Sequence, residues 1–187
     1  MTPEEIAAAA EALYQAERSG RQRRLLSLDH PGMTLDDAYA VQAALVGLKR
    51  AAGARVIGWK IGLTSRAMQQ ALNIATPDSG VLLDDMLFQD GDTIPEGRFI
   101  QPRIEAEIAF VMKAPLAGAG VTRDQVLAAT DFVAPSLEIL DTRIQRVDPE
   151  TGKARIITDT VSDNAANAGV VLGRQRHRVD AFALRWI

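Results

Sequence analysis

The chain has 187 residues, of which 47% are hydrophobic and 24% are charged, and its formal net charge at pH 7 is -3. These values are typical of a folded globular chain with one sizeable core, and they argue against a disordered protein or a general nucleic-acid binder. Because the sequence contains no cysteine, disulfide bonds, thiol catalysis and cysteine-ligated zinc are excluded, which leaves carboxylate chemistry as the main candidate.

The ends of the chain and its hydropathy bear on location. Residues 1–5 are acidic where a signal peptide would be basic, and no apolar run approaches the length of a membrane span. We therefore expect a cytoplasmic protein that binds neither membranes nor nucleic acid. The sequence stops within an apolar pattern at residues 182–187, so we expect a fold that is incomplete at its C-terminus.

The first 54 residues are predicted to form a helical segment. Helices are expected at 3–20 and 35–52, each preceded by a threonine N-cap, Thr2 and Thr34. The basic run at 21–24 is interpreted as a solvated turn between them. The second helix would turn five apolar side chains inward: Leu35, Ala38, Val41, Leu45 and Leu48.

Residues 55–187 are predicted to form a second, mixed domain, so the fold class is α+β. Short β-type runs are separated by glycine and proline turns. Strands are expected at 56–63, 101–112, 132–140, 154–158 and 169–172, short strands or loops at 81–88 and 93–95, and helices at 65–73 and 122–130.

The predicted strand at 101–112 carries acid on one face. Strand side chains alternate, so Glu105 and Glu107 project to the same side. Two carboxylates this close need a counter-charge, for which a divalent metal is a natural candidate. The alternative is a solvated edge strand, on which glutamate at every second position is ordinary.

Glu138 interrupts the apolar run at 132–140, where an unpaired carboxylate would be costly to bury. Together with Glu105 and Glu107 it would supply three hard oxygen ligands suited to Mg²⁺ or Mn²⁺. The alternative is a glutamate on a wet strand face or one paired with Arg143.

Two further polar residues are candidates for proton transfer. Lys60 lies between Trp59 and Ile61 in a strand flanked by glycines, where partial desolvation would make it a proton donor or an electrostatic anchor. The alternative is an edge-strand lysine. Asp78 looks first like a turn residue, and it becomes a candidate acid or base only if the fold brings it to the metal.

Several motifs occur in an order that resembles the hydratase/decarboxylase branch of the fumarylacetoacetate hydrolase superfamily. The resemblance covers residues from about 21 to the end, and relatives continue well beyond residue 187. It is carried by the segments 37–42 (DAYAVQ), 58–65 (GWKIGLTS), 77–80 (PDSG), 102–109 (PRIEAEIA), 137–139 (LEI) and 162–169 (SDNAANAG).

This resemblance implies a mixed β-sheet roll and a lyase that uses Mg²⁺ or Mn²⁺ on a small 2-oxo acid. It implies that Lys60 and Asp78 are catalytic and that Leu63 and Asn164 bind substrate. By the same resemblance the metal ligands are Glu105, Glu107 and Glu138. A homo-oligomer, and a complex with a related decarboxylase, are the partners it implies.

The resemblance leaves several activities open. The loop at 148–151 and the segment 83–86 are most similar to hydratases that add water to 2-oxohept-4-ene-1,7-dioate in aromatic catabolism, in the homoprotocatechuate pathway. The alternatives are a 4-oxalocrotonate-type decarboxylase, a hydratase of the shorter 2-oxopent-4-enoate, and a non-catalytic partner subunit.

Overall fold

The N-terminal part of the molecule is helical, as predicted. The structure is a computed structural model that describes residues 1–65, 69–70 and 77–183. It begins with α1 (Pro3–Ser19), the short α2 (Leu26–Asp29) and α3 (Leu35–Ala51). Thr2 and Thr34 cap α1 and α3, each in a reciprocal capping box with an acidic residue three positions on, so both predicted helix starts are confirmed.

The helices pack around a shared core that also takes Ile144 from the later part of the chain. The buried members are Ala9, Ala10, Leu13, Leu25, Leu26, Val41, Leu45 and Ile144. Leu35 was expected to point inward but is 37% exposed, because it occupies the first position of α3 at the edge of the core.

The basic run at 21–24 is not the solvated turn predicted from sequence. The Arg23 N–H donates to the carbonyl of Arg143, and the Arg24 guanidinium donates to the buried carboxylate of Asp148 at 2.6 Å. This segment therefore docks the helices onto the rest of the molecule.

Two sheets follow. The first pairs β1 (Val56–Gly62) with β2 (Asp78–Leu83) in antiparallel fashion. The second sheet is mixed and has the order β3-β6-β5-β4. Its strands are β3 (Leu87–Gln89), β4 (Arg103–Met112), β5 (Thr130–Leu140) and β6 (Asn167–Leu172). The α+β class predicted from sequence is confirmed, whereas a domain boundary at residue 54 stays a prediction.

Two further helices connect these strands. Helix α4 (Arg123–Ala129) has the predicted threonine cap and leads into β5, and α5 (Ile157–Ser162) precedes β6. A strand at 154–158 was predicted instead, and this was wrong. Asp159 accepts hydrogen bonds from the N–H groups of Ile156 and Ser27, and these contacts fix a helical turn despite the β-branched residues.

Other predicted elements were left open between two alternatives or fall outside the described residues. Residues 93–95 form a loop, which is one of the two alternatives expected there. Most of the predicted helix at 65–73, and the end of the chain at 184–187, lie outside the described ranges. Among the described residues, no helix is both long enough and apolar enough to cross a membrane.

The β4–β5 ladder decides which side chains meet. Antiparallel pairing sets Arg103 opposite Leu140, Glu105 opposite Glu138 and Glu107 opposite Ser136. Paired residues point to the same face of the sheet, so the polar side chains of β4 gather on one side. Apolar residues of the opposite face are largely exposed: Ile104, Phe110 and Leu137.

Candidate metal and catalytic site

Three glutamates converge on the polar face of the β4–β5 ladder. Glu105, Glu107 and Glu138 each place a carboxylate oxygen within 4.8 Å of the other two. β4 is indeed an edge strand, and Glu105 and Glu107 are exposed, but the ladder brings them to the buried Glu138. Glu138 does not pair with Arg143, whose guanidinium contacts Asp163.

The charge balance of this cluster favours a cation. The pKa of the Glu138 carboxyl is raised to about 7, because burial and the charges of Glu105, Glu107 and Asp78 together outweigh the opposing effect of Lys60. Burial and Glu105 also raise the pKa of Glu107. The buried Oε1 of Glu138 has no hydrogen-bond partner among the described residues. A hard divalent ion would satisfy these oxygens, so the residues present fit a metal site.

Lys60 and Asp78 lie beside the cluster, as the resemblance implies. Lys60 Nζ is 3.7 Å from Asp78 Oδ1 and 3.7 Å from Glu138 Oε1. Its strand is an edge strand, because the β1–β2 sheet has only these two strands among the described residues, but the Lys60 side chain is only 14% exposed and is not solvated. Asp78 is buried in β2 rather than placed in a turn, and its role as an acid or base stays a prediction.

Glycine makes this approach possible. In the β1–β2 register Gly62 lies opposite Asp78, and Gly80 lies opposite Lys60. A Cβ on Gly62 would come within 2.2 Å of Asp78 Oδ1 and 2.9 Å of Lys60 Nζ. The glycines that punctuate this part of the sequence therefore leave the space in which the lysine and the aspartate meet.

Leu63 and Asn164 both adopt left-handed backbone conformations, with φ of 56° and 52°. Leu63 follows β1 immediately after Gly62, at the rim of the site. The side-chain amide of Asn164 is engaged by β2: its Oδ1 accepts from the Val81 N–H at 2.7 Å, and its Nδ2 donates to the Val81 carbonyl at 2.9 Å. Contacts of either residue with substrate stay predictions.

A strained turn that the sequence did not reveal presents Asn164 to β2. Asn164, Ala165 and Ala166 have consecutive φ values of 52°, 53° and 57°, a conformation that costs about 1–2 kcal/mol per L-residue. The Arg143 guanidinium donates to the Asp163 carbonyl at 2.6 Å and to the Asn167 carbonyl at 3.3 Å, so it clamps both ends of this turn.

Helix α3 also positions β2 through two residues to which no role was assigned. The buried Gln42 side chain donates to the Ser79 carbonyl at 2.9 Å and to the Val161 carbonyl at 3.0 Å. The Tyr39 hydroxyl accepts from the Ser79 N–H at 3.3 Å. The sequence signal that could have identified Gln42 is its place next to Val41 on the inward face of a helix, where a buried polar side chain needs hydrogen-bond partners.

Comparison with known proteins gives a consistent set of relatives. The chain is 53% identical to 2-oxo-hept-4-ene-1,7-dioate hydratase of Escherichia coli over 95% of its own length and 67% of the relative. It is 47% identical to 2-hydroxyhexa-2,4-dienoate hydratase of Comamonas testosteroni, over 87% of the chain and 60% of that relative. None of the protein-family profiles compared with the sequence matches it.

Solved structures agree with the sequence relatives. The 4-oxalocrotonate decarboxylase from Pseudomonas putida G7, complexed with magnesium and adipate, superposes with a TM-score of 0.88 at 35% sequence identity. The match covers 99% of this chain and 68% of that protein. The chain thus spans roughly two thirds of the length of the proteins it matches.

Proposed function

Because the chain belongs to the hydratase/decarboxylase family, we propose that it is a divalent-metal-dependent hydratase that adds water to 2-oxohept-4-ene-1,7-dioate. The product is 4-hydroxy-2-oxoheptanedioate. The observation that carries this proposal is that a buried lysine–aspartate pair on the β1–β2 sheet lies beside three carboxylates on the four-stranded sheet. The high identity to a hydratase of this substrate supports the choice of substrate.

Glu105, Glu107 and Glu138 would hold the metal, with Mg²⁺ favoured over Mn²⁺ because a related decarboxylase structure contains magnesium. When bound, such an ion supplies a Lewis acid that stabilises negative charge developing on the C2 oxygen of the 2-oxo acid.

Lys60 and Asp78 would handle the protons. The net reaction places a hydroxyl on C4 and a hydrogen on C5, so one group must accept a proton from water and another must deliver one to carbon. Asp78 Oδ1 is buried and has no hydrogen-bond donor among the described residues, which leaves it free to accept a proton. Lys60 Nζ, between Asp78 and Glu138, can carry the proton that is delivered.

The substrate assignment is tested by supplying the protein and Mg²⁺ with 2-oxohept-4-ene-1,7-dioate, 4-oxalocrotonate and 2-oxopent-4-enoate in separate reactions. We expect the highest kcat/KM for the seven-carbon dioate, with a 4-hydroxy product detected by mass spectrometry. Release of CO₂ without a 4-hydroxy product would replace this assignment with the decarboxylase. That alternative is favoured by 40% identity to a 4-oxalocrotonate decarboxylase over 99% of the chain. Turnover of none of the three substrates would favour a non-catalytic partner subunit.

Metal affinity should fall as the pH falls. The pKa of Glu138 is raised to about 7, so this carboxyl is mostly protonated below pH 7 and must lose its proton to bind a cation. With one competing proton, we expect Mg²⁺ affinity to be about tenfold weaker at pH 6 than at pH 8. Calorimetry in two buffers of different ionisation enthalpy would measure both the affinity and the proton release. Equal Mg²⁺ affinity at pH 6 and pH 8 would contradict this prediction.

A homo-oligomer, association with a related decarboxylase and a cytoplasmic location belong to the same proposal. Light scattering of the purified protein, alone and mixed with a family decarboxylase, tests the two assembly states.

A further inference from the structure

Three arginines, Arg103, Arg146 and Arg155, lie near the start of β4, on the N-terminal side of the glutamate cluster. Arg103 is the first residue of β4 and lies two positions before Glu105, on the same face of the strand. The Arg146 guanidinium donates to the side chain of Gln101, just before β4, at 3.2 Å. Arg155 is held against Arg146, because its N–H donates to the Arg146 carbonyl at 2.9 Å.

The backbone sets Arg146 and Arg155 opposite each other. Val147 and Ala154 form an antiparallel bridge, so the residues just outside this bridge are a cross-strand pair whose side chains leave the same face. Like charges in such positions repel each other. Burial lowers the pKa of Arg146 and of Arg155, and the charge of Arg103 on Arg146 and of Arg146 on Arg155 acts in the same direction, which together outweigh the opposing effect of nearby carboxylates.

Carboxylates act on two of these charges from beyond ion-pair distance: Asp141 on Arg146, and Asp159 and Asp163 on Arg155. Within the described ranges, Arg103, Arg146 and Arg155 form no ion pair, unlike Arg24, Arg98 and Arg143. The nearby Asp141 carboxylate is engaged instead by the N–H groups of Ile100 and Gln101. Arg155 bonds only a neutral group, donating to the Thr142 hydroxyl at 2.9 Å. Arg146 and Arg155 are half-buried and Arg103 is exposed, so the group can be reached by an anion from solution.

We propose that Arg103, Arg146 and Arg155 bind the distal carboxylate of a dicarboxylate substrate whose 2-oxo acid end lies at the glutamate cluster. This inference rests on the proposed function and adds the determinant of substrate length and charge. Two residues of β4 advance about 7 Å, and the end carbons of an extended seven-carbon chain are separated by roughly 7–8 Å. One end at Glu105 therefore brings the other within reach of Arg103.

The test compares two unreactive ligands of the same seven-carbon length that differ only in the distal carboxylate, 2-oxoheptanedioate and 2-oxoheptanoate. Their binding to the Mg²⁺-loaded protein is measured by calorimetry. We expect the dicarboxylate to bind about tenfold or more tightly, the usual effect of one charge-assisted hydrogen-bonded contact. Arg146→Gln and Arg155→Gln should each reduce this preference several-fold and leave 2-oxoheptanoate affinity unchanged. Arg123→Gln, at an exposed position in α4, is the matched control and should keep the full preference.

Two results would overturn the subsite. One is a preference that survives both substitutions, and the other is an equal loss of affinity for both ligands in variants whose thermal unfolding matches the wild type. Failure of the wild-type protein to bind either ligand would be a different result, since it would remove the proposed 2-oxo acid function itself and the subsite with it.

Discussion

Replacing Glu138 with glutamine is expected to lower Mg²⁺ affinity by about 100-fold or more and to remove hydratase activity at ordinary metal concentrations. The substitution preserves the shape of the side chain and removes the charge of one of the three carboxylates of the proposed metal site. The metal-free protein should not lose stability. In the wild type the Glu138 carboxyl has a pKa of about 7 in the folded state, above the value of 4.5 for a free glutamate. Its ionised form therefore destabilises the folded state at pH 8. A neutral glutamine avoids that cost.

Calorimetric Mg²⁺ titration and urea unfolding in the presence of a chelator separate these two effects. Glu96→Gln changes an exposed glutamate outside the site and should alter neither measurement. A Glu138→Gln variant that binds Mg²⁺ as tightly as the wild type would show that the three carboxylates do not act as one site. Loss of metal binding together with a large loss of stability would instead give Glu138 a structural role.

The carboxylate cluster was accessible from the sequence because each of its parts has a local signature. Strand alternation puts Glu105 and Glu107 on one face, and Glu138 is conspicuous in an apolar run. That the strands carrying them are neighbours followed from the family resemblance, since no local rule sets the register of distant segments. The structure supplies this register by pairing Glu105 with Glu138.

The residues that hold the site in place could not be predicted from local sequence patterns. Asp163 and Arg143 lie 20 positions apart in the sequence, and each looks like an ordinary surface charge until the fold buries both. The left-handed turn at 164–166 likewise has no signal in the sequence. Alanine favours the right-handed region, and tertiary hydrogen bonds hold these residues in the left-handed one. The incorrect prediction of a strand at 154–158 has the same cause, because the helical turn there depends on a hydrogen bond that Asp159 accepts from Ser27, which is distant in the sequence.

Replacing Arg143 with methionine should cause the largest loss of stability. The guanidinium is 2% exposed and contacts Asp163, which is fully buried, and Glu17 Oε2 at 4.0 Å. Burial alone would lower the pKa of Arg143, but the two carboxylates raise it, so the arginine stays charged. Its removal leaves the Asp163 carboxylate buried without a cation, a change that typically costs about 3–5 kcal/mol. Urea unfolding with the midpoint and slope fitted together measures this loss.

Two companion variants show whether the loss comes from the unpaired charge or from the turn that Arg143 clamps. Arg178→Met breaks the exposed pair with Asp180 and should leave stability unchanged, since such pairs are screened by solvent. Arg143→Met combined with Asp163→Leu removes both charges and should recover part of the lost stability. Activity should not recover together with stability. The backbone carbonyls at positions 163 and 167 still lack the donor that fixes the turn by which Asn164 contacts β2. If the double variant regains wild-type kcat/KM, Arg143 acts on stability alone and the strained turn holds β2 without it.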